Sequence, residues 1–372
     1  MNAISHQDIL LALHQFAPPV YKETYDNIGL QIGDAKTITK GILTTLDVTE
    51  SVVNEAINTD CNLIVAHHPI IFKDIKKIDA STYNGRVISQ CIKNDIAVIA
   101  SHTNLDNIKL GVNYKIAQKI GLQNLKILQP KTDILYRLTI YVPVNETEKI
   151  LSAVHAAGAG HIGNYELCSF RLSGTGTFKP NHEANPTIGK KEILEYVNEH
   201  QVDVLVAAPD IQNVLQAMRK AHPYEEIAYY LHPLANAHQE VGSGMIGNLP
   251  ETMSCDNFME QLMQKFALKC IKHTSKNIDN ISKIAICGGS GSFLLYTAIA
   301  QKADVFITSD IKYHEYFDAD GNIILVDIGH YESEQFTKEL LAEVLLKKFP
   351  NIAVLLSKVN TNPVQYKLWN KA

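Results

Sequence analysis

Long apolar runs are missing from this 372-residue chain. No window approaches the roughly 18 consecutive apolar residues of a membrane-spanning helix, so no membrane partner is expected. Paired cysteines are missing too. Cys61, Cys91, Cys168, Cys255, Cys270 and Cys287 are scattered without a C-x-x-C pair, which speaks against a zinc knuckle or a disulfide framework and for reduced thiols in the cytoplasm. Positive charge is in short supply: 34 Lys+Arg stand against 39 Asp+Glu, a formal net charge of −5. No basic cluster supplies the phosphate neutralisation that nucleic-acid binding needs. Residues 1–19 carry no Lys or Arg and no small-residue cleavage site, and read as a first helix rather than a secretion signal. What is present is 46% hydrophobic and 20% charged, a composition that buries a core, in a length suited to two or three domains.

From residue 41 the text alternates β-branched runs with amphipathic segments: GILTTLD, TESVVNEAINTD, NLIVAHHP, STYNGRVISQCIKND, IAVIASHTNLD. This βαβαβ rhythm predicts an α/β body with mainly parallel sheets covered on both faces. It returns in KIAICGGSGS, ADVFITSD, GNIILVDIGH and NIAVLLSKV, as the second half of the same body. Between the halves the order reads βαββαβ, which predicts a ferredoxin-like α+β insert. KKEILEYVNEH is ambiguous there, since Ile193, Leu194 and Val197 fit a helical period where that topology prefers a strand. NHEANPTIGK reads as a loop and LANAHQEVGSGMIGNLP as the linker returning to the body. The expected division is 1–130 and 235–372 for the body and 131–234 for the insert.

Open α/β sheets place ligands at the carboxyl ends of their strands, and three such ends carry metal-type groups. After NLIVA come His67 and His68; after IAVIA come Ser101, His102, Asn104 and Asp106; after NIILV come Asp327, His330 and Glu334. Adjacent histidines leaving an extended strand point apart, so His67 and His68 suit two ions. His330 and Glu334, four apart, share a helix face. Asp106 and Glu334 offer bridging carboxylates, and the three histidines the terminal positions. Water fills the open positions of such a site, with its pKa lowered to about 7. Imidazole with carboxylate suits zinc, iron, manganese or nickel. His102, Asp310 and His314 are candidate catalytic groups. GGSGS at 288–292 lacks the Lys-Ser/Thr of a P-loop and reads as a tight βα turn before a phosphate cradle. HPYEE, His222–Glu226, reads as a helix-to-strand turn.

DNIGLQIGD (26–34), VAHHPIIF (65–72), SHTNLD (101–106), TSDIKYHE (308–315) and DIGHYESE (327–334) together resemble the Nif-three-like family, also called GTP cyclohydrolase I type 2 homologs. The middle segment, with AHPYEE near its end, resembles the PII/CutA-like insert of longer bacterial members. The resemblance implies a dinuclear centre held by His67, His68, Asp106, His330 and Glu334. It also implies a toroidal homohexamer with its metal sites facing an internal cavity. The activity the family's name implies is opening of the guanine imidazole ring of GTP. Two functions compete: a metal-dependent hydrolase of a nucleotide-like or phosphate-bearing small molecule, and a non-enzymatic assembly that stores, delivers or senses metal.

Overall fold

The computed structural model describes residues 3–275, 278 and 280–367. In chain order the strands are β1 (Gly29–Ile32), β2 (Gly41–Thr45), β3 (Leu63–Ala66), β4 (Ala97–Ala100), β5 (Gln123–Lys131), β6 (Leu135–Pro143), β7 (Ser169–Phe178), β8 (Glu195–Ala207), β9 (Tyr229–Leu234), β10 (His238–Met253), β11 (Lys272–His273), β12 (Ile281–Ser290), β13 (Val305–Ser309), β14 (Ile324–Asp327) and β15 (Ala353–Leu356). The chain divides into two compact units, Met1–Pro130 with Glu240–Ala372, and Lys131–Gln239. It is a mixed α/β protein with three sheets among the described residues.

The larger unit contains two sheets. In the first, ordered β1-β4-β3-β2-β15, the run β4-β3-β2-β15 is parallel and β1 is antiparallel at the edge. Every residue of β2, β3 and β4 is buried, because helices cover both faces. Helices Glu50–Asn58 and Tyr83–Lys93 direct Val52, Val53, Ala56, Val87, Ile88 and Cys91 onto Leu43, Ile64, Ala66 and Val98. Helix Thr337–Lys348 packs on β2 and β15. Thr49 and Thr82 start the first two helices by accepting a backbone N–H in the first turn. NIAVLLSKV therefore completes the first sheet and not the second, pairing in register with β2.

The second sheet runs β11-β14-β13-β12-β10-β5. Its centre, β12-β13-β14, is parallel, and β10 and β11 are antiparallel neighbours. Parallel pairing thus holds through the first sheet except at β1, and at the centre of the second, where β10 and β11 flank it antiparallel. The expected linker near 234–250 is instead mostly β10, with Val241, Met245, Ile246 and Leu249 buried. Its glycines mark close backbone approach rather than a loop. At Gly244 (φ +65°) a Cβ would stand 2.9 Å from the Ile286 carbonyl oxygen.

The smaller unit is a four-stranded antiparallel sheet ordered β7-β8-β6-β9. Helices Thr147–Ala156 and Ile211–Ala221 lie against it, burying Ile150, Val154, Val214 and Met218 on Leu138, Ile140, Val202 and Val204. The ambiguous KKEILEYVNEH is strand from Glu195 onward. Its ladder with β7, from Ser169↔Val204 to Phe178↔Glu195, overrides the short helical period. Among the described residues no helix is long and apolar enough to cross a membrane.

Candidate metal centre

The carboxyl ends of the parallel strands of both sheets in the larger unit converge on one cluster. β3 ends at Ala66, so His67 and His68 lie just past the strand, their amides donating to Thr45 and Leu46 carbonyls. Strand alternation no longer applies there. The two rings lie 4.9 Å apart, not on opposite faces as expected of an extended pair. Asp106 ends the one-turn helix Thr103–Asp106 that follows β4. His330 and Glu334 bound the short helix His330–Glu334 after β14, with Nε2 and Oε2 3.0 Å apart.

Glu334 organises the cluster. Its Oε2 lies 3.0 Å from Nε2 of both His68 and His330, and its Oε1 lies 3.9 Å from His67 Nε2, which in turn stands 3.5 Å from Asp106 Oδ1. Three overlapping groups with their ligand atoms within 4.8 Å result: His67, Asp106 and Glu334; His68, His330 and Glu334; His67, His68 and His102. Each histidine is oriented through Nδ1. His67 meets the Ser101 carbonyl at 2.9 Å, His68 meets Asp47 at 2.7 Å, His330 meets Asp310 at 2.6 Å and His102 meets Asp26 at 2.8 Å. An oxygen on Nδ1 fixes the ring and leaves Nε2 for a ligand.

Charge divides unevenly over these groups. Burial pushes the His67 imidazole down to about 4, so it is neutral. Burial also opposes charge on His68 and His330. Hydrogen bonds to Asp47 and Glu334 raise His68 to about 10, and those to Glu334 and Asp310 raise His330 to about 9. Burial works against the Glu334 carboxylate as well, but its three histidine partners hold it well below the usual carboxylate range. Asp106 goes the other way, pushed well above that range by burial and by the Glu334 charge. His67 Nε2 and Asp106 Oδ1 are buried without a hydrogen-bond partner. Two buried polar atoms facing each other without partners are costly, and a cation between them removes that cost. The donor set fits divalent metal.

Of the candidate catalytic groups, His102 lies against this cluster, its ring 5.2 Å from that of His67 and 5.4 Å from that of His68. Asp310 (φ +56°) is placed against His330. His314 is exposed, its ring beside Tyr313 and Phe317, and it joins none of the ligand groups. Asp47 and Asp26 escaped the sequence reading. Asp47 follows β2, so the strand-end rule that picked out His67 reaches it too. Asp26 stands in DNIGLQIGD, and its link to His102 spans 76 positions.

The GGSGS segment serves the cluster structurally. Its N–H groups at Gly288, Gly289 and Gly291 donate to Asn113, Ser333 and Thr308 side chains, so these donors are not open to a phosphate. Gly289 has φ +61°, and a Cβ there would lie 2.5 Å from Glu334 Oε1. The glycine makes room for the central carboxylate.

Residues 4–363 match the family model Duf34/NIF3 (NGG1p interacting factor 3). The chain is 39% identical to a protein of Halalkalibacterium halodurans called GTP cyclohydrolase 1 type 2 homolog, over 98% of this chain and all of the relative. It is 37% identical to a Bacillus subtilis protein of the same name, over 98% and 99%. Among solved structures, a Bacillus cereus protein related to NIF3 superposes with a TM-score of 0.86 at 36% identity, over 99% of this chain and all of that one. A Staphylococcus aureus protein superposes with a TM-score of 0.80 at 32% identity, with the same coverage.

Proposed function

The chain belongs to the Duf34/NIF3 family, and from that premise we propose that it binds two divalent metal ions through His67, His68, Asp106, His330 and Glu334 and is a metal-dependent hydrolase of a nucleotide or another phosphate-bearing small molecule. The observation that carries this reading is the division of the buried Glu334 carboxylate, Oε1 towards His67, which itself faces Asp106, and Oε2 towards His68 and His330. One carboxylate shared by two donor groups is what a dinuclear centre requires, and zinc, iron or manganese suits these donors. When bound, such ions supply Lewis acidity and lower the pKa of water to about 7. His102, oriented by Asp26 through Nδ1, is the group placed to take or give a proton at Nε2. Asp310 acts through His330, whose ring it holds. The curated relatives' name makes GTP the first substrate to try.

The same reading extends to the rest of the chain. The strand order β7-β8-β6-β9 with its two helices supports a ferredoxin-like, PII/CutA-like insert within an α/β body of two halves. The toroidal homohexamer and the cytoplasmic setting rest on the resemblance and on cysteine usage.

One observation favours the non-enzymatic alternative. A cavity of about 520 Å³ beside His68 and His330 is lined by Asp47, Asp310, Asp327 and Glu332, and its lysine, Lys272, is held 2.6 Å from Asp327. Among the described residues no free ammonium group lines it to meet an anionic substrate, whereas a labile metal ion in transit suits those carboxylates. Turnover separates the two. Metal-loaded protein is expected to hydrolyse GTP or a phosphoester, with His68→Ala reducing the rate at least about a hundredfold. Turnover that survives His68→Ala contradicts the hydrolase reading, and a fully loaded but inert protein favours the alternative.

A further inference from the structure

The turn that carries His222–Glu226 borders a second cavity, of about 530 Å³, formed wholly by residues of the Lys131–Gln239 unit. Glu199 of β8 lines it and is only 8% exposed. The Tyr224 hydroxyl donates to Glu199 Oε1 at 3.1 Å, and among the described residues no hydrogen-bond donor reaches Oε2. Oε2 lies over the bare Cα of Gly176, where a Cβ would stand 2.2 Å from it. The absence of a side chain at that strand position is what admits the carboxylate.

Around Glu199 the walls are aromatic. Tyr141, Phe178, Tyr224 and Tyr230 all line the cavity, with ring centroids 6.2 Å apart for Phe178 and Tyr224 and 6.1 Å for Tyr141 and Tyr230. His222 ties two of these walls together. Its Nε2 lies 3.0 Å from the Tyr141 carbonyl, and its Nδ1 accepts the Tyr224 N–H at 3.1 Å. Both contacts suit the neutral ring that burial favours. Glu225 and Glu226 add negative charge to the lining, and among the described residues neither they nor Glu199 is ion-paired. Lys179, which also borders the cavity, is directed to Glu192 at 3.5 Å.

A buried carboxylate beside four aromatic side chains selects by charge and by surface. An anion is repelled, and a neutral apolar guest leaves the carboxylate desolvated and unpaired. A hard metal ion wants six or more oxygens converging on it, and among the described residues no metal-type group of ligand atoms includes Glu199, Glu225 or Glu226. An organic cation satisfies both parts, pairing with the carboxylate while its alkyl surface lies on the negative faces of the rings. The volume falls in the usual range for small-molecule sites. We propose that this cavity binds a small organic ammonium ion, its charged head against Glu199 and its alkyl groups against Tyr141, Phe178, Tyr224 and Tyr230.

Titration calorimetry on the full chain tests this with three probes: choline, putrescine, and 3,3-dimethylbutan-1-ol, the neutral isostere of choline. Saturable binding of choline or putrescine at one per chain is expected, with the neutral isostere at least about tenfold weaker. Choline and putrescine distinguish a quaternary from a primary ammonium preference. Glu199→Gln keeps the shape and removes the charge, and is expected to weaken binding about tenfold or more. Tyr230→Ala changes a half-exposed wall, keeps the test valid should Glu199→Gln fail to fold, and is expected to weaken binding several-fold. The proposal is overturned if neither cation saturates at millimolar concentration, if the neutral isostere binds equally well, or if a folded Glu199→Gln or Tyr230→Ala variant binds as the wild type does.

Discussion

Burial leaves the His67 imidazole neutral, pushed down to about 4, whereas its neighbour His68, held between Asp47 and Glu334, is raised to about 10 and His330 to about 9. A raised value means that the proton is bound in the metal-free protein throughout pH 6 to 8. A metal ion needs the same Nε2 lone pair, so loading expels the protons of His68 and His330, while His67 has none to give up in that window. Apparent affinity for zinc therefore falls as pH falls, by about tenfold per pH unit for each expelled proton. Competition against a chromophoric chelator, corrected for the chelator's own protonation, is expected to show a dependence steeper than one decade per unit between pH 8 and 6. A flat profile contradicts this account of the two histidines. At this scale the candidate ligands were legible because each follows a run of buried, β-branched strand residues. Their orienting partners were less so. The link from Asp26 to His102 and the contact of Ser101 with His67 depend on how loops fold back, which no local pattern encodes.

At the level of elements, strands buried on both faces were readable as uninterrupted apolar runs, as in LIVA of β3 and AVIA of β4. Antiparallel margins were harder. The glycines and serine of β10 resemble loop punctuation, yet they mark close packing beside β12, and the KKEILEYVNEH run took its state from its partner strand β7. The end of β12 shows the same dependence on packing, since Gly289 is required by the approach of Glu334. Gly289→Ala places a Cβ in a left-handed conformation, at a cost of about 1–2 kcal/mol, and drives it to 2.5 Å from Glu334 Oε1. The expected result is a folded protein, with a far-ultraviolet circular dichroism spectrum like that of the wild type, that retains less than half of the wild-type metal. Full metal content in Gly289→Ala contradicts the placement of Glu334.

Across the whole molecule, all five proposed ligands belong to the larger unit, drawn from two stretches more than 220 residues apart in the chain, Asp106 and His330. The rhythm of strands and helices announced an α/β body, but not that β15 would cross back to pair with β2, a contact between residues about 310 positions apart. Such pairings follow from which buried edge lacks a partner, a property of the assembled sheet. The convergence of two sheets on Glu334 is also a property of the whole unit, and the dinuclear reading depends on it. Elemental analysis of protein purified without added metal, beside Glu334→Ala and Asp106→Ala variants, tests that reading most directly. About two equivalents of transition metal per chain are expected, lost from Glu334→Ala and reduced in Asp106→Ala. Wild-type protein that arrives without metal and takes up no zinc, iron or manganese on addition would contradict it.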